Sequence, residues 1–359
     1  MAVAWVDGRN VPVADAADKA AELLSASFCP VFSLDTDVHG TRAAIALARR
    51  VGAAYDQLDG AATARETAQV TDKGGLFIAP GEARRRADLI VLVGALPAAH
   101  HDLIAELAAT RPDLGRRGER RFFLIGTEAK APAGVKAVRL SCGEGLEAAL
   151  AALRALLAGR RTALPLRNFE AFAGALAEAR FAVFTFCGQS AGTLALAMLQ
   201  GLIADINRSR RASALHLPAS GNGWGSTLAS AWTTGFPLRA GFSGAGEADF
   251  DPWRFDVARM LAEGEADLHL VVAGNPKRIA TPPAAMPLIV LAGGARPVAG
   301  AAVAIAVGAP GVDHDAVVYS SRTGTLAAVR AERPGVLPSA AAVLRMIAER
   351  LPQSEAPPC

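Results

Sequence analysis

The chain has 359 residues, 52% of them hydrophobic, and its 37 basic side chains nearly balance 34 acidic ones for a formal charge of +3. That length predicts roughly two domains with sizeable cores, and the scatter of the arginine runs at Arg84 to Arg86, Arg116 to Arg121 and Arg208 to Arg211 excludes a nucleic-acid-binding role. No window holds the roughly eighteen uninterrupted apolar residues of a membrane span, and MAVAWVDGRN lacks the regions of a signal peptide, so the expected address is the cytoplasm.

Along the chain, short β-branched or aromatic runs alternate with turns and Ala/Leu-rich helical stretches, the rhythm of a parallel sheet covered on both faces. Strands are expected at Pro30 to Leu34, Asp88 to Gly94, Phe122 to Gly126, Lys136 to Leu140 and Phe181 to Cys187. Ala214 to Pro218, Asp267 to Ala273, Pro287 to Ala292 and Ala302 to Val307 continue the series. Helices are expected at Gly40 to Val51, Thr193 to Asn207 and Ala340 to Leu351, and Val317 to Tyr319 with Leu326 to Val329 flank the hairpin signal SSRTGT. So many strands exceed one comfortable sheet. The expected fold is α/β with two doubly wound, mostly parallel-sheet domains, their boundaries in the Gly-rich segments Leu58 to Gly75 and Ala219 to Gly225.

The sharpest local pattern is GQSAG, Gly188 to Gly192, a G-x-S-x-G between an expected strand and helix. It admits a serine hydrolase using Ser190, with Asp313 or Asp267 and His314 as partners. Parallel α/β folds put small residues at strand-to-helix turns without catalysis, so a plain turn is the preferred reading. His100 and His101 are expected in a solvated loop or first helical turn, His216 as a hydrogen-bonded core or domain-interface residue, and Asn222 in a turn with positive φ. Cys29, Cys142, Cys187 and Cys359 are too widely separated to frame a metal site, and the first three read as inert buried thiols.

Trp224, Trp232 and Trp253 are three of the chain's four tryptophans and lie close together in sequence. Core packing beneath a long loop is the first reading. The aromatic and arginine content of Trp224 to Arg239 also suits a partner contact, with Trp224, Trp232, Phe236 and Arg239 as its residues.

The order W-x-x-G-[YF]-P, then G-F-S, then a D-P turn is carried by Trp232, Gly235, Phe236, Pro237, Phe242, Ser243, Asp251 and Pro252. It resembles the B subunit of formylmethanofuran dehydrogenase, of the molybdopterin oxidoreductase superfamily. CPVFSLDTDVHGTRAAIALARRVGAAYD, PGEARRRADLIVLVGALPAAHH and PGVDHDAVVYSSRTGTLAAVRA extend the resemblance through most of the chain. The resemblance implies one α/β domain inserted in another: 1–58 plus 224–335 as the first, 59–223 as the insert, 336–351 as a closing helix and 352–359 as a flexible tail.

Two departures redirect the function. The family's cysteine-rich iron-sulfur domain has no counterpart before WVDGRNVPVADAADKAAELL, and its metal-ligating cysteine falls on Ala61 or Ala62. The chain thus resembles the degenerate homologues that serve methylotrophic bacteria in formyltransferase/hydrolase complexes. That resemblance implies a non-catalytic scaffold with no catalytic, cofactor-binding or metal residue of its own. Its implied partners are a zinc amidohydrolase subunit, a formyltransferase subunit and a carrier-binding subunit. Formyl would pass from formyl-tetrahydromethanopterin to methylofuran and leave as formate, with zinc and methylofuran held by those partners.

Overall fold

The apolar run Leu89–Val93 shows how the layers are built, because alternate residues of a strand face opposite sides. Leu89, Val91 and Val93 enter one core, while Ile90 and Leu92 enter another. The computed structural model describes residues 3–72, 74–114, 118–243, 246–274, 286–293 and 298–352. The chain divides into two compact units, Met1–Gly60 with Ser220–Tyr319 and Leu326–Cys359, and Ala61–Ala219 with Ser320–Thr325. Residues 353–359, expected as part of a flexible tail ending in Cys359, lie outside the described residues.

The first unit opens with β1 (Ala4–Val6), β2 (Arg9–Asn10), α1 (Val13–Ala26), β3 (Pro30–Asp35), α2 (Val38–Val51) and β4 (Ala54–Gln57). The middle of the chain forms α3 (Gly60–Thr71), α4 (Pro80–Arg86), β5 (Leu89–Val93), α5 (His101–Ala109), β6 (Arg121–Ile125) and β7 (Val138–Leu140). It continues with α6 (Leu146–Leu157), α7 (Phe169–Glu178), β8 (Ala182–Phe186), α8 (Thr193–Ile206) and β9 (Ala212–His216). The return to the first unit runs through α9 (Gly221–Thr234), β10 (Ala240–Phe242), β11 (Ala248–Phe250), α10 (Val257–Ala262), β12 (Leu268–Ala273), β13 (Leu288–Gly293) and β14 (Val303–Val307). A hairpin of β15 (Ala316–Ser320) and β16 (Thr325–Val329) precedes α11 (Ala340–Arg350).

The first unit's nine-stranded sheet has the order β11-β10-β4-β3-β12-β13-β14-β1-β2. Its five middle strands are parallel, and antiparallel strands close both edges. Phe32, Leu34, Leu47, Leu270, Ile289 and Leu344 fill one side of it, and Val31, Val257 and Met260 form a smaller cluster of their own. The second unit's sheet is wholly parallel, in the order β7-β6-β5-β8-β9. Among the described residues the fold is therefore mixed α/β, with these two sheets and the two-stranded β15-β16 hairpin.

Every expected strand is present, with ends shifted by a residue or two. The short β1, β2, β4, β10 and β11 carry too few residues to show a period, and sequence reading missed them. The two Gly-rich stretches expected as domain boundaries, one of them with a turn at Asn222, hold helices. Leu58 to Gly75 contains α3, and GNGWG is the first turn of α9. Ser220 caps α9 by accepting from the Gly223 N–H at 3.1 Å. The glycine at 223 serves helix approach: a Cβ there would lie 2.3 Å from Gln57 Nε2. Asn222 accordingly has helical backbone, not the positive φ expected of it.

Candidate functional site

In an open parallel sheet, ligands collect at the carboxyl ends of neighbouring strands whose connections leave in opposite directions. In the second unit β5 leads to β6 on one side and β8 leads to β9 on the other, so that crevice lies between β5 and β8. Gly94 follows β5 and the GQSAG turn follows β8. Their approach is close: Gly94 has φ +71°, and a Cβ on it would sit 2.8 Å from Ser190 Oγ.

Helix α3 clamps this turn. Its buried Glu66 accepts from the Gly188 N–H at 2.7 Å and the Ala219 N–H at 3.3 Å through Oε1, while Oε2 lies 3.2 Å from His216 Nε2. Arg65 Nε donates to the Gly188 carbonyl at 2.8 Å. A Cβ on Gly188 would come 2.3 Å from the Ala62 carbonyl oxygen, so helix and turn are in backbone contact. The His216 ring stacks on Phe186 with centroids 5.1 Å apart. Burial, reinforced by the Glu66 charge, pushes the Cys187 thiol up to about 12, so it stays a thiol at neutral pH. Ala62, Arg65 and Glu66 lie at i, i+3 and i+4, the one signal in the sequence that could have revealed this helical face.

The geometry does not assemble a serine hydrolase. Ser190 Oγ donates to the Cys187 carbonyl at 3.4 Å. Both ring nitrogens of His314 face backbone carbonyls, those of Asp315 at 2.9 Å and Gly308 at 3.2 Å. Asp313 accepts from the Ala309 N–H, and Asp267 from Ser27 Oγ and the N–H groups of Phe28 and Cys29. Ser190, Asp313 and His314 are thus used within their own loops, Asp267 is engaged by the distant segment Ser27 to Cys29, and the small-residue turn is the reading the structure supports. His100 also departs from expectation: it is buried, its Nε2 lies 2.8 Å from the Pro218 carbonyl, and burial lowers its pKa. His101 is exposed. Among the described residues, no three His, Cys, Asp or Glu side chains come together as metal ligands.

In the first unit, Arg239 is turned inward, which withdraws it from a docking surface. It is 9% exposed at φ +68°, with Nε donating to Asp56 Oδ2 at 3.2 Å and Nη2 lying 2.9 Å from Asp256 Oδ2. Burial outweighs this pairing and pushes the Asp56 carboxyl up to about 7. On β12 of the same sheet, buried His269 meets Ser33 Oγ at 2.8 Å, and desolvation lowers its pKa to about 4.

These two groups oppose one another as pH changes. Asp56 has a folded pKa above its ordinary 3.8, so its contribution to stability is present in acid and is lost as pH rises to about 7. His269 is depressed below its ordinary 6.5, so its contribution is present above that pH and is lost as pH falls to about 4. Replacing His269 by Gln removes only the second slope. Relative to the parent chain, the variant should gain about 2 kcal/mol between roughly pH 7 and 4.5 in chemical denaturation. A difference that stays flat with pH would refute it.

The tryptophans correct the core reading. Trp232 and Trp253 are 66% and 67% exposed. Trp224 is half-buried, and Phe236 packs against the core while stacking on Phe250 at 6.0 Å. Trp253 lies beneath the Arg259 guanidinium at 4.1 Å, in a turn where Asp251 Oδ1 accepts the N–H groups of Trp253 and Arg254 at 2.9 Å each.

No protein-family model matches the chain. It is 36% identical over 358 residues to the B subunit of the formyltransferase/hydrolase complex Fhc of Methylorubrum extorquens, covering 97% of this chain and 98% of that one. Its structure matches a chain in the X-ray crystal structure of the formyltransferase/hydrolase complex FhcABCD from the same organism in complex with methylofuran, with a TM-score of 0.86, 35% identity, and 97% and 98% of the two chains covered. With identity of that degree sustained from end to end, and a matching arrangement of helices and sheets, the chain belongs to the family of formyltransferase/hydrolase complex B subunits.

Proposed function

We propose that this chain is a non-catalytic scaffold subunit of a formyltransferase/hydrolase complex. In this reading the complex moves formyl from formyl-tetrahydromethanopterin to methylofuran and releases formate. The observation that carries it is the likeness to a B subunit over 97% of this chain and 98% of the relative. The zinc amidohydrolase, formyltransferase and carrier-binding subunits are its partners, zinc and methylofuran reside in them, and the assembly is cytoplasmic.

The reading includes descent from the B subunit of a formylmethanofuran dehydrogenase. Its molybdopterin-oxidoreductase-like plan has 59–223 inserted between 1–58 and 224–335, with 336–351 closing the fold. The breaks between the two units, at Gly60 and Ala219, support that plan. Ala61 or Ala62 replaces the metal-ligating cysteine, and both lie on α3. An alanine methyl has no lone pair to offer a molybdenum or tungsten ion, so this helix does not fit one. The buried face of α3 holds the GQSAG turn instead, through Glu66 and Arg65.

Exposed Trp232 supports its role as a docking contact, since a large aromatic side chain in water is an anchor without a pocket. Trp232→Asp should reduce recovery of the partner subunits with a tagged chain at least about tenfold, while shifting stability by less than about 1 kcal/mol. Pull-down of the native complex, followed by identification of its polypeptides, checks this. Formyl transfer or hydrolysis by the isolated chain, or its recovery without an amidohydrolase and a formyltransferase, would overturn the scaffold reading.

A further inference from the structure

Between the carboxyl-terminal halves of α6 and α8 in the second unit lies a surface cleft of about 640 Å3. The size is that of a site able to seat several side chains or a small ligand. Half-buried Leu157 and Met198 give its wall apolar surface, over a floor of the core residues Leu176, Leu202 and Ile206. Four guanidinium groups share that lining, those of Arg154, Arg160, Arg208 and Arg210, against the one carboxylate of Asp205.

The cleft already shows what it selects. Arg154 Nε donates to Asp205 Oδ2 at 2.5 Å, and Arg208 Nη2 lies 3.3 Å from Oδ1. Gly201 seats Arg154 against α8, since a Cβ there would come within 2.5 Å of Nη1. The Arg154 hydrogen bond comes first in holding the Asp205 carboxyl below its usual range, and the charges of Arg208 and Arg160 add to it. Arg210 Nη1 donates to the Ala177 carbonyl at 2.7 Å. Several cations surround a single internal carboxylate, and positive charge remains in excess.

An apolar trough between two helices is the surface onto which an amphipathic helix lays its apolar face. Guanidinium groups beside it favour carboxylates through charge-assisted, bidentate hydrogen bonds. Among the described residues no aromatic ring lines the cleft, so they offer no stacking platform of a single-stranded nucleic-acid site. We propose that this cleft docks an acidic amphipathic helical segment of another protein. Leucine-like side chains enter the trough, and Glu or Asp residues on the flanks face Arg160, Arg208 and Arg210. The cleft is built within the second unit alone, so the proposal stands or falls separately from the scaffold reading.

The test uses the full chain and a fluorescein-labelled peptide of about fourteen residues, with leucines at i, i+3 and i+7 and glutamates on the remaining faces. Fluorescence anisotropy at about 50 mM NaCl should show saturable binding that weakens as salt rises. Arg160 and Arg208 are exposed, so Arg160→Glu with Arg208→Glu should lower the thermal midpoint by no more than a few degrees while weakening binding at least about tenfold. A peptide with serine in place of each leucine should lose a similar factor. No saturable binding to the parent chain, or equal binding by the charge-reversed chain, would overturn the proposal. So would equal binding of the serine peptide, or tighter binding of a single-stranded oligonucleotide of the same charge.

Discussion

Arg239→Met is expected to destabilise the first unit by about 3 kcal/mol, because it strands the buried carboxylate of Asp56 and removes the partner of half-buried Asp256. Asp56 and Asp256 both lie within hydrogen-bond reach of the one guanidinium, and its Nη1 also donates to the Pro252 carbonyl at 2.7 Å. Arg239 holds a left-handed backbone, φ +68°, which costs of order 1 kcal/mol for a residue with a Cβ, so the pairing also maintains local geometry. Calorimetry should show the unfolding midpoint lowered by about 10 °C. Adding Asp56→Asn should recover part of the loss, since it removes a stranded charge. A single variant within about 1 kcal/mol of the parent, or a double variant whose losses simply add, would show that the network is not coupled.

Glu66→Ala should be of similar severity in the second unit. It leaves the N–H groups of Gly188 and Ala219 without an acceptor, at about 1–3 kcal/mol each, and removes the carboxylate beside His216. The expected signature is local: hydrogen exchange at Gly188 and Ala219 should accelerate by about a hundredfold, the kinetic equivalent of roughly 3 kcal/mol. Glu66→Gln keeps an acceptor oxygen and should show a smaller increase. Unchanged protection of Gly188 in the alanine variant would mean that the turn is held by its own backbone and by Arg65.

Both predictions concern residues whose roles the sequence left hidden, and the reason is physical. Arg239 sits in an aromatic-rich stretch whose composition resembles a docking surface, and composition does not say which way a side chain points. Its ion partners lie far along the chain at Asp56 and close to it at Asp256. Glu66 lies in the segment Leu58 to Gly75, expected as a domain boundary, and its role arises only when α3 packs on the GQSAG turn. The tryptophans show the converse: large apolar side chains go inside more often than not, yet Trp232 and Trp253 face water.

The paired apolar runs and Ala-rich intervals sufficed to establish an α/β architecture with parallel strands, because strand and helix periods are local properties of the chain. The resemblance drawn from Trp232–Pro237 and Asp251–Pro252, joined to the alanines at 61 and 62, pointed to formyltransferase/hydrolase complexes, the family that identity over 97% of the chain shows. Which polar groups became buried, which strand edges closed the first sheet, and whether Gly-rich segments turned or coiled depended on residues distant in sequence. Hydrogen bonds such as Glu66 to Gly188, and the close approach of Gly223 to Gln57, exist only once packing brings their partners together. Only the tertiary structure could decide them.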